Sequence, residues 1–174
     1  MKVVPKPWLE TLRLELRGFV PADVDDLYRL DSDLRVAKYL GGKPLSREEV
    51  EANLGRIRKG YRANYGLGLW RAARRDSGAF IGWFCLKYVP KSTDVEVGYR
   101  LLPEAWGQGF ATEGAEALVA YGFDDLGLYK IIGVTHPDNR ASQRVLLKVG
   151  LVPRGFSRYY DRRVRLFVAE CSSR

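Results

Sequence analysis

The chain has few side chains that ligate metals or cross-link a fold. Cys85 and Cys171 are its only cysteines and His136 its only histidine. That excludes a disulfide framework and a four-ligand zinc site, so no metal is expected and a reducing compartment, the cytoplasm, is the expected setting. Long apolar runs are missing as well. No stretch approaches the length that crosses a bilayer, and Met1-Lys2-Val3-Val4-Pro5 lacks the apolar segment of a secretory leader, so no membrane partner is expected. The chain also has no linker, internal repeat or low-complexity segment. With 174 residues, 46% hydrophobic and 29% charged, the expectation is one folded domain over residues 1–174.

What is in excess is positive charge. Lys and Arg number 29 against 21 Asp and Glu, a formal charge of +8. This favours anionic ligands such as nucleotides, phosphorylated cofactors or nucleic acid without choosing among them. The cations are spread along the chain in small clusters (Arg56-Arg58-Lys59-Arg62, Arg71-Arg74-Arg75, Arg162-Arg163-Arg165) with no basic tail.

The apolar periodicity gives the element order. Leu12, Leu14 and Leu16 alternate with Arg13, Glu15 and Arg17, which indicates a half-buried strand. A short acidic helix over 22–28 follows Pro21. A second helix starts at the capping box Ser46 to Glu49 and carries Val50, Leu54, Ile57 and Tyr61 on one face. Residues 67–74 and 79–88 are a hairpin about Arg75-Asp76-Ser77-Gly78, and 95–101 is a third strand of that group. A further helix has Ala111, Ala115, Leu118, Val119, Gly122 and Leu126 on one side. The run 130–135 is a strand, Asp138-Asn139 caps a helix over 141–149 that ends at Gly150, and 151–159 and 164–171 are closing strands. The fold class is mixed α/β with seven strands and about four helices.

Trp106-Gly107-Gln108-Gly109-Phe110-Ala111 is the most informative stretch, because it runs straight into a helix. Gly107 and Gly109 remove two side chains from a tight loop. Successive backbone N–H groups and the positive end of the helix then face one place, a suitable seat for an anion such as pyrophosphate.

The strand Glu96-Val97-Gly98-Tyr99, the loop Trp106 to Glu113 and the segment Pro137-Asp138-Asn139-Arg140-Ala141-Ser142-Gln143-Arg144-Val145-Leu146 with Gly150 resemble the GNAT N-acetyltransferases in residues and spacing. Within them, Thr11 to Arg17 is similar to the opening strand of the branch that acetylates ribosomal-protein N-termini. The resemblance covers nearly the whole chain. It implies a mixed, mostly antiparallel sheet splayed between the strands at Leu101 and Ile131, with acetyl-CoA as co-substrate in the gap and a primary amine, a protein N-terminus or a small molecule, as acceptor. It implies that Leu101 and Leu102 line the pantetheine arm, and that N–H groups of the loop from Gly107 and Gln108 through Gly109, Phe110 and Ala111 to Thr112 take the phosphates. Asn139 is either a cofactor contact or a helix N-cap, or both, with Ser142 and Arg144 following on the cofactor side. Trp106 stands where the family often has Gln or Arg. Leu146 stands where many members carry a tyrosine acid and cannot donate a proton, which leaves Ser142 or water to protonate the leaving thiolate.

Glu96 is the candidate base. It alternates with Val95 and Val97 on the face of Gly98 and Arg100, and the missing side chain at Gly98 leaves room for a reactant; the alternative is a surface carboxylate paired with Arg100. His136 competes as a group that titrates near neutrality, and Cys85 reads as a core thiol. Asp23, Asp25, Asp26, Asp31 and Asp33 suggest an acidic lip that would attract a cationic amine, or simply carboxylates serving a helix N-terminus. The second functional class compatible with the sequence is a CoA-sensing or nucleic-acid-binding module on the same fold. Nucleic acid is not the expected partner, and the chain is expected to be a monomer or homodimer.

Overall fold

A computed structural model describes residues 8–171. In chain order the elements are β1 (Leu9–Glu10), β2 (Leu14–Arg17), α1 (Val24–Asp31), α2 (Leu34–Ala37), α3 (Arg47–Ala63), β3 (Gly68–Arg74), β4 (Phe80–Tyr88), β5 (Val95–Leu101), α4 (Phe110–Asp124), β6 (Lys130–Thr135), α5 (Arg140–Lys148), β7 (Val152–Tyr159) and β8 (Arg162–Glu170). Single 3-10 turns lie at Pro21–Asp23 and Pro103–Ala105. Among the described residues the sheet has eight strands rather than seven, and there are five α-helices rather than about four. The additions, β1 and α2, are two and four residues long, too short to show an apolar period.

The first strand also begins later than its alternation suggests. The Leu14 N–H donates to Thr11 Oγ1 and the Thr11 N–H to the Leu14 carbonyl, closing a tight turn between β1 and β2. Leu12 therefore sits at the tip, 85% exposed, instead of in the strand.

The strand order is β1-β2-β3-β4-β5-β6-β8-β7, and every neighbouring pair is antiparallel except β5 with β6. β4 and β5 pair continuously from Gly82↔Leu101 to Tyr88↔Val95. β5 and β6 pair at one position only, Glu96↔Ile132, while β6 stays paired to β8 as far as Thr135. Residues 97–101 of β5 therefore run away from β6, and the sheet is open in its middle.

Two apolar layers hold the sheet from opposite sides. On one face Leu14, Leu16, Trp70, Phe84, Leu86, Val97 and Leu101 meet the buried side of α4, including Phe110, Ala115 and Leu118. Gly114 lets α4 approach so closely that a Cβ there would lie 2.3 Å from the Phe84 ring. On the other face Leu27 and Leu30 of α1 and Val50 and Leu54 of α3 pack with Phe19, Phe80, Leu69 and Trp83. Burying a side chain of this size contributes roughly 1.5–3 kcal/mol, so the two layers anchor the β5 margin of the opening from both faces. No helix among the described residues is long and apolar enough to cross a membrane.

Candidate active site

Period-two alternation along β5 sends Glu96, Gly98 and Arg100 to the α1–α3 face and Val95, Val97, Tyr99 and Leu101 to the α4 face. Because β5 and β6 separate just beyond Glu96, groups from both faces reach one cleft of about 1010 Å³. Glu96, Gly98 and Arg100 line it from one side, and Tyr99, Ser142 and Leu146 from the other.

Glu96 is 7% exposed and does not pair with Arg100. Lys87 Nζ lies 2.8 Å from Glu96 Oε1, and the Tyr160 hydroxyl donates to the same oxygen. Lys87 Nζ also donates to the Tyr160 oxygen at 2.6 Å. Both partners use Oε1, and Glu96 lines the cleft. Burial acts to lower the Lys87 pKa, but the Glu96 carboxylate outweighs it and holds the ammonium above its ordinary range. Burial first, and the Glu96 charge second, push the Tyr160 phenol upward. Near neutrality Lys87 is thus an ammonium and Tyr160 a protonated phenol, both set against Glu96.

Tyr160 comes from the tip of the β7–β8 hairpin. The tip reaches back across β6, and its base is fixed where the Tyr159 hydroxyl donates to Asp94 Oδ2 at 2.7 Å and Lys130 pairs with Asp94 at 2.6 Å. Tyr159 pairs with Arg162, so Tyr160 and Asp161 form a two-residue turn with φ of 54° and 56°. Such turns favour Asn and Gly, and a left-handed residue carrying a Cβ costs about 1–3 kcal/mol. The strain is retained at the point where the hairpin delivers a hydroxyl to Glu96.

Arg100 is turned to α1. Its Nη1 lies 2.5 Å from Asp31 Oδ1 and its guanidinium 5.1 Å from the Trp83 ring, while its buried Nε has no partner. A Cβ at Gly98 would come 3.1 Å from Cys85 Sγ, so the space there is shared with that thiol. Burial raises the Cys85 pKa to about 12, leaving a thiol rather than a thiolate. His136 lines the cleft from a half-exposed position, where Nδ1 accepts the Asp138 N–H at 3.1 Å and the ring lies 5.3 Å from Tyr39.

On the opposite side Ser142 lies in the first turn of α5. Asn139 is that helix's N-cap, its Oδ1 accepting the Ser142 N–H at 3.2 Å. Tyr99 lines the cleft beside Ser142; burial lifts the pKa of its phenol, and the neighbouring Ser142 side chain acts against that rise. Leu146 is core, packed over Gly133. Tyr99 brings a second hydroxyl to this wall of the cleft from the strand, a group that nothing in the sequence pattern singles out. Arg144 points outward from α5 and is exposed.

The Gly loop continues from the C-terminal end of β5. Gly107 and Gly109 have φ of 70° and 81°, Gly109 is the N-cap of α4, and no side chain caps this end. Glu113 is the first residue of α4 whose N–H returns to Gly109, which leaves those of Phe110, Ala111 and Thr112 as helix-end donors. Arg13 braces the loop, donating to the Gln108 carbonyl at 2.8 Å and pairing with Glu113 at 2.7 Å. The side chains of Leu101 and Leu102 are buried in the two apolar layers. The Leu101 carbonyl accepts the Trp106 indole N–H at 2.9 Å and the Leu102 N–H donates to the Ile81 carbonyl at 2.8 Å. Trp106 thus ties the loop back to the strand.

The acidic cluster is neutralised. Asp23 pairs with Arg17, Asp25 with Arg47, Asp26 with Arg71, Asp31 with Arg100 and Asp33 with Arg35. Of the five, only Asp31 lines the cleft.

An opened mixed sheet and a glycine-capped helix N-terminus in the loop that follows β5 are the features of an N-acetyltransferase fold. The comparisons give the family: residues 13–152 match the model of the acetyltransferase (GNAT) domain, and the chain belongs to that family. It is 35% identical over 158 residues to the uncharacterized N-acetyltransferase YoaA of Bacillus subtilis, with 88% of each chain covered. It is 34% identical over 160 residues to the FsC-acetyl coenzyme A-N(2)-transacetylase of Aspergillus fumigatus, covering 87% of this chain and 67% of that one. Among solved structures, a ribosomal-protein-S5-alanine acetyltransferase from Vibrio fischeri superposes with a TM-score of 0.74 at 17% identity, covering 93% of this chain and 95% of that one.

Proposed function

We propose that the enzyme transfers an acetyl group directly to a primary amine, a protein N-terminus or a small molecule, with Glu96 receiving the amine proton. The observation that carries this reading is the single β5–β6 pairing at Glu96, which opens the sheet beside the carboxylate and brings Tyr99 and Ser142 to the same cleft from the other face. The residues fit acetyl-CoA. The N–H groups from Gln108 to Thr112 suit its pyrophosphate, and the unpaired edge of β5 suits its amides. Thr135 at the end of β6 lines the same opening, and its buried Oγ1 has no partner. Asn139, Ser142 and Arg144 stand at the start of α5, while the side chains of Leu101 and Leu102 are buried and line no part of the cleft.

Acetyl-CoA supplies the electrophilic thioester carbonyl. Glu96 accepts the proton of the attacking nitrogen as the C–N bond forms. Lys87 and Tyr160 hold the carboxylate in place. As the C–S bond breaks, the hydroxyl pair of Tyr99 and Ser142 returns a proton to the thiolate. Similarity alone does not favour the ribosomal branch, since the names of the similar proteins include FsC as well as ribosomal protein S5.

The test is thiol release from acetyl-CoA with N-terminal peptides, amino acids, polyamines and aminoglycosides offered side by side. Acceptor-dependent release with acetylated product supports direct transfer. Tight acetyl-CoA binding without release on any amine would instead identify a sensing module.

A further inference from the structure

The charges of the cleft do not match a cationic acceptor. Two carboxylates, Asp31 and Glu96, and four cations, Arg56, Lys87, Arg100 and Arg162, line it. Each carboxylate already has its own cation, Arg100 for Asp31 and Lys87 for Glu96. Among the described residues Arg56 and Arg162 have no carboxylate partner. The Arg56 guanidinium donates to the Asn53 amide oxygen, and that of Arg162 lies over Gly41, where a Cβ would be 2.7 Å from Nη2. Arg100 adds its buried, unpartnered Nε.

These cations are not placed for the cofactor phosphates. None of residues 107–112 lines the cleft, and the free N–H groups of α4 lie in that separate loop. A polyamine entering the cleft would find no unpaired carboxylate and would meet an excess of positive charge, which the +8 total reinforces. A carboxylate would find guanidinium donors of the kind that bind it through paired hydrogen bonds.

Building on the acetyl-transfer reading, we infer that the acceptor is an amine that also carries a carboxylate, with its nitrogen at Glu96 and its anion toward Arg100, Arg162 and Arg56. Amino acids, and peptides that begin with an acidic residue, share this chemistry. The strained hairpin that supplies Tyr160 also supplies Arg162, so one turn positions both the carboxylate's brace and part of the anion site.

The experiment compares kcat/KM for amino acids with that for their amides, peptides beginning Asp or Glu with peptides beginning Lys, and spermidine, in the parent and in Arg56→Gln/Arg162→Gln. The parent is expected to prefer each carboxylate over its amide by about tenfold or more, the size of a charge-assisted hydrogen bond. The double variant should lose most of that preference through the acceptor KM, with the KM for acetyl-CoA unchanged. Arg162→Lys, which keeps the charge, should retain part of it. Preference for free amino acids over acidic peptides would identify a small-molecule acceptor, and the reverse a protein N-terminus; either supports the inference. Equal or better use of amides or spermidine overturns it while leaving acetyl transfer standing. Absence of turnover on every amine overturns both.

Discussion

Replacing Glu96 by Gln keeps the shape of the side chain but removes the charge and the proton acceptor. Lys87 then loses its 2.8 Å ion pair but keeps the Tyr160 oxygen at 2.6 Å, and its side chain is 31% exposed. The stability loss should therefore be about 1–2 kcal/mol, less than that of breaking a fully buried pair. The effect on rate depends on the acceptor. A terminal α-amine with a pKa of about 7.8 is roughly one-third neutral at pH 7.5, whereas deprotonating an amine of pKa about 10.4 costs about 4 kcal/mol at that pH. The variant should lose about a hundredfold in turnover with the more basic amine, the usual contribution of a general base, and about tenfold or less with the α-amine. Initial rates of thiol release at pH 7.5 measure both, and calorimetry should show acetyl-CoA binding unchanged. A rate equal to the parent's with the basic amine would refute the role given to Glu96.

Tyr99→Phe and Ser142→Ala should each lower kcat by about tenfold or less, since water can protonate a thiolate in part; the double variant should lose less than the product of the two, because the hydroxyls act as a pair. Unchanged turnover in the double variant would remove both from the proton path. Asp23 forms a buried bidentate pair with Arg17 at 2.7 and 2.8 Å and accepts the Val20 N–H at 2.8 Å. Asp23→Asn should cost about 3–5 kcal/mol, read by denaturant unfolding, because it leaves Arg17 buried and uncompensated. Burial pushes the Asp23 pKa upward, but the Arg17 hydrogen bonds and the Val20 N–H outweigh it and depress it in the folded state. The pair's contribution is thus full above the unfolded carboxylate pKa of about 3.9 and is lost as pH falls through the lower folded value, so parent and variant stabilities should converge on acidification below about pH 4.

The long periodic elements were legible from the sequence because their residues obey one local rule at a time. The Ser46 capping box forms as read, with bonds of 3.2 and 2.7 Å, and the α4 stripe meets the sheet. The single β5–β6 bridge is a relation between strands thirty-odd residues apart and leaves no mark in either strand; only the family resemblance indicated it. Leu12 was misplaced because its alternation is interrupted by the Thr11–Leu14 turn, which tertiary pairing with Glu113 helps to hold. Tyr160 was invisible for a related reason. Tyr-Asp is a poor signature for a turn with two positive φ angles, so nothing local placed that phenol beside a carboxylate 64 residues earlier. The acidic cluster shows the same limit in charge: five aspartates are countable in sequence, but the arginines that neutralise them come from four other places in the chain and from the cluster's own Arg35.

The central claim is that acetyl-CoA is held at the α4 N-terminus beside the opened sheet, and its most direct measurement is calorimetric titration of acetyl-CoA into Gly109→Val and Gly107→Ala. A Cβ at Gly109 meets only Arg13 Nη2 at 3.3 Å, and one at Gly107 meets no protein atom within 4 Å, so the protein itself leaves these positions open. Both φ values are positive, so the thermal melt of each variant is measured alongside to establish that it is folded. The expected result is a Kd raised at least about tenfold, about 1.4 kcal/mol, in folded Gly109→Val, with a smaller rise in Gly107→Ala. Unchanged affinity in both folded variants would contradict the assignment.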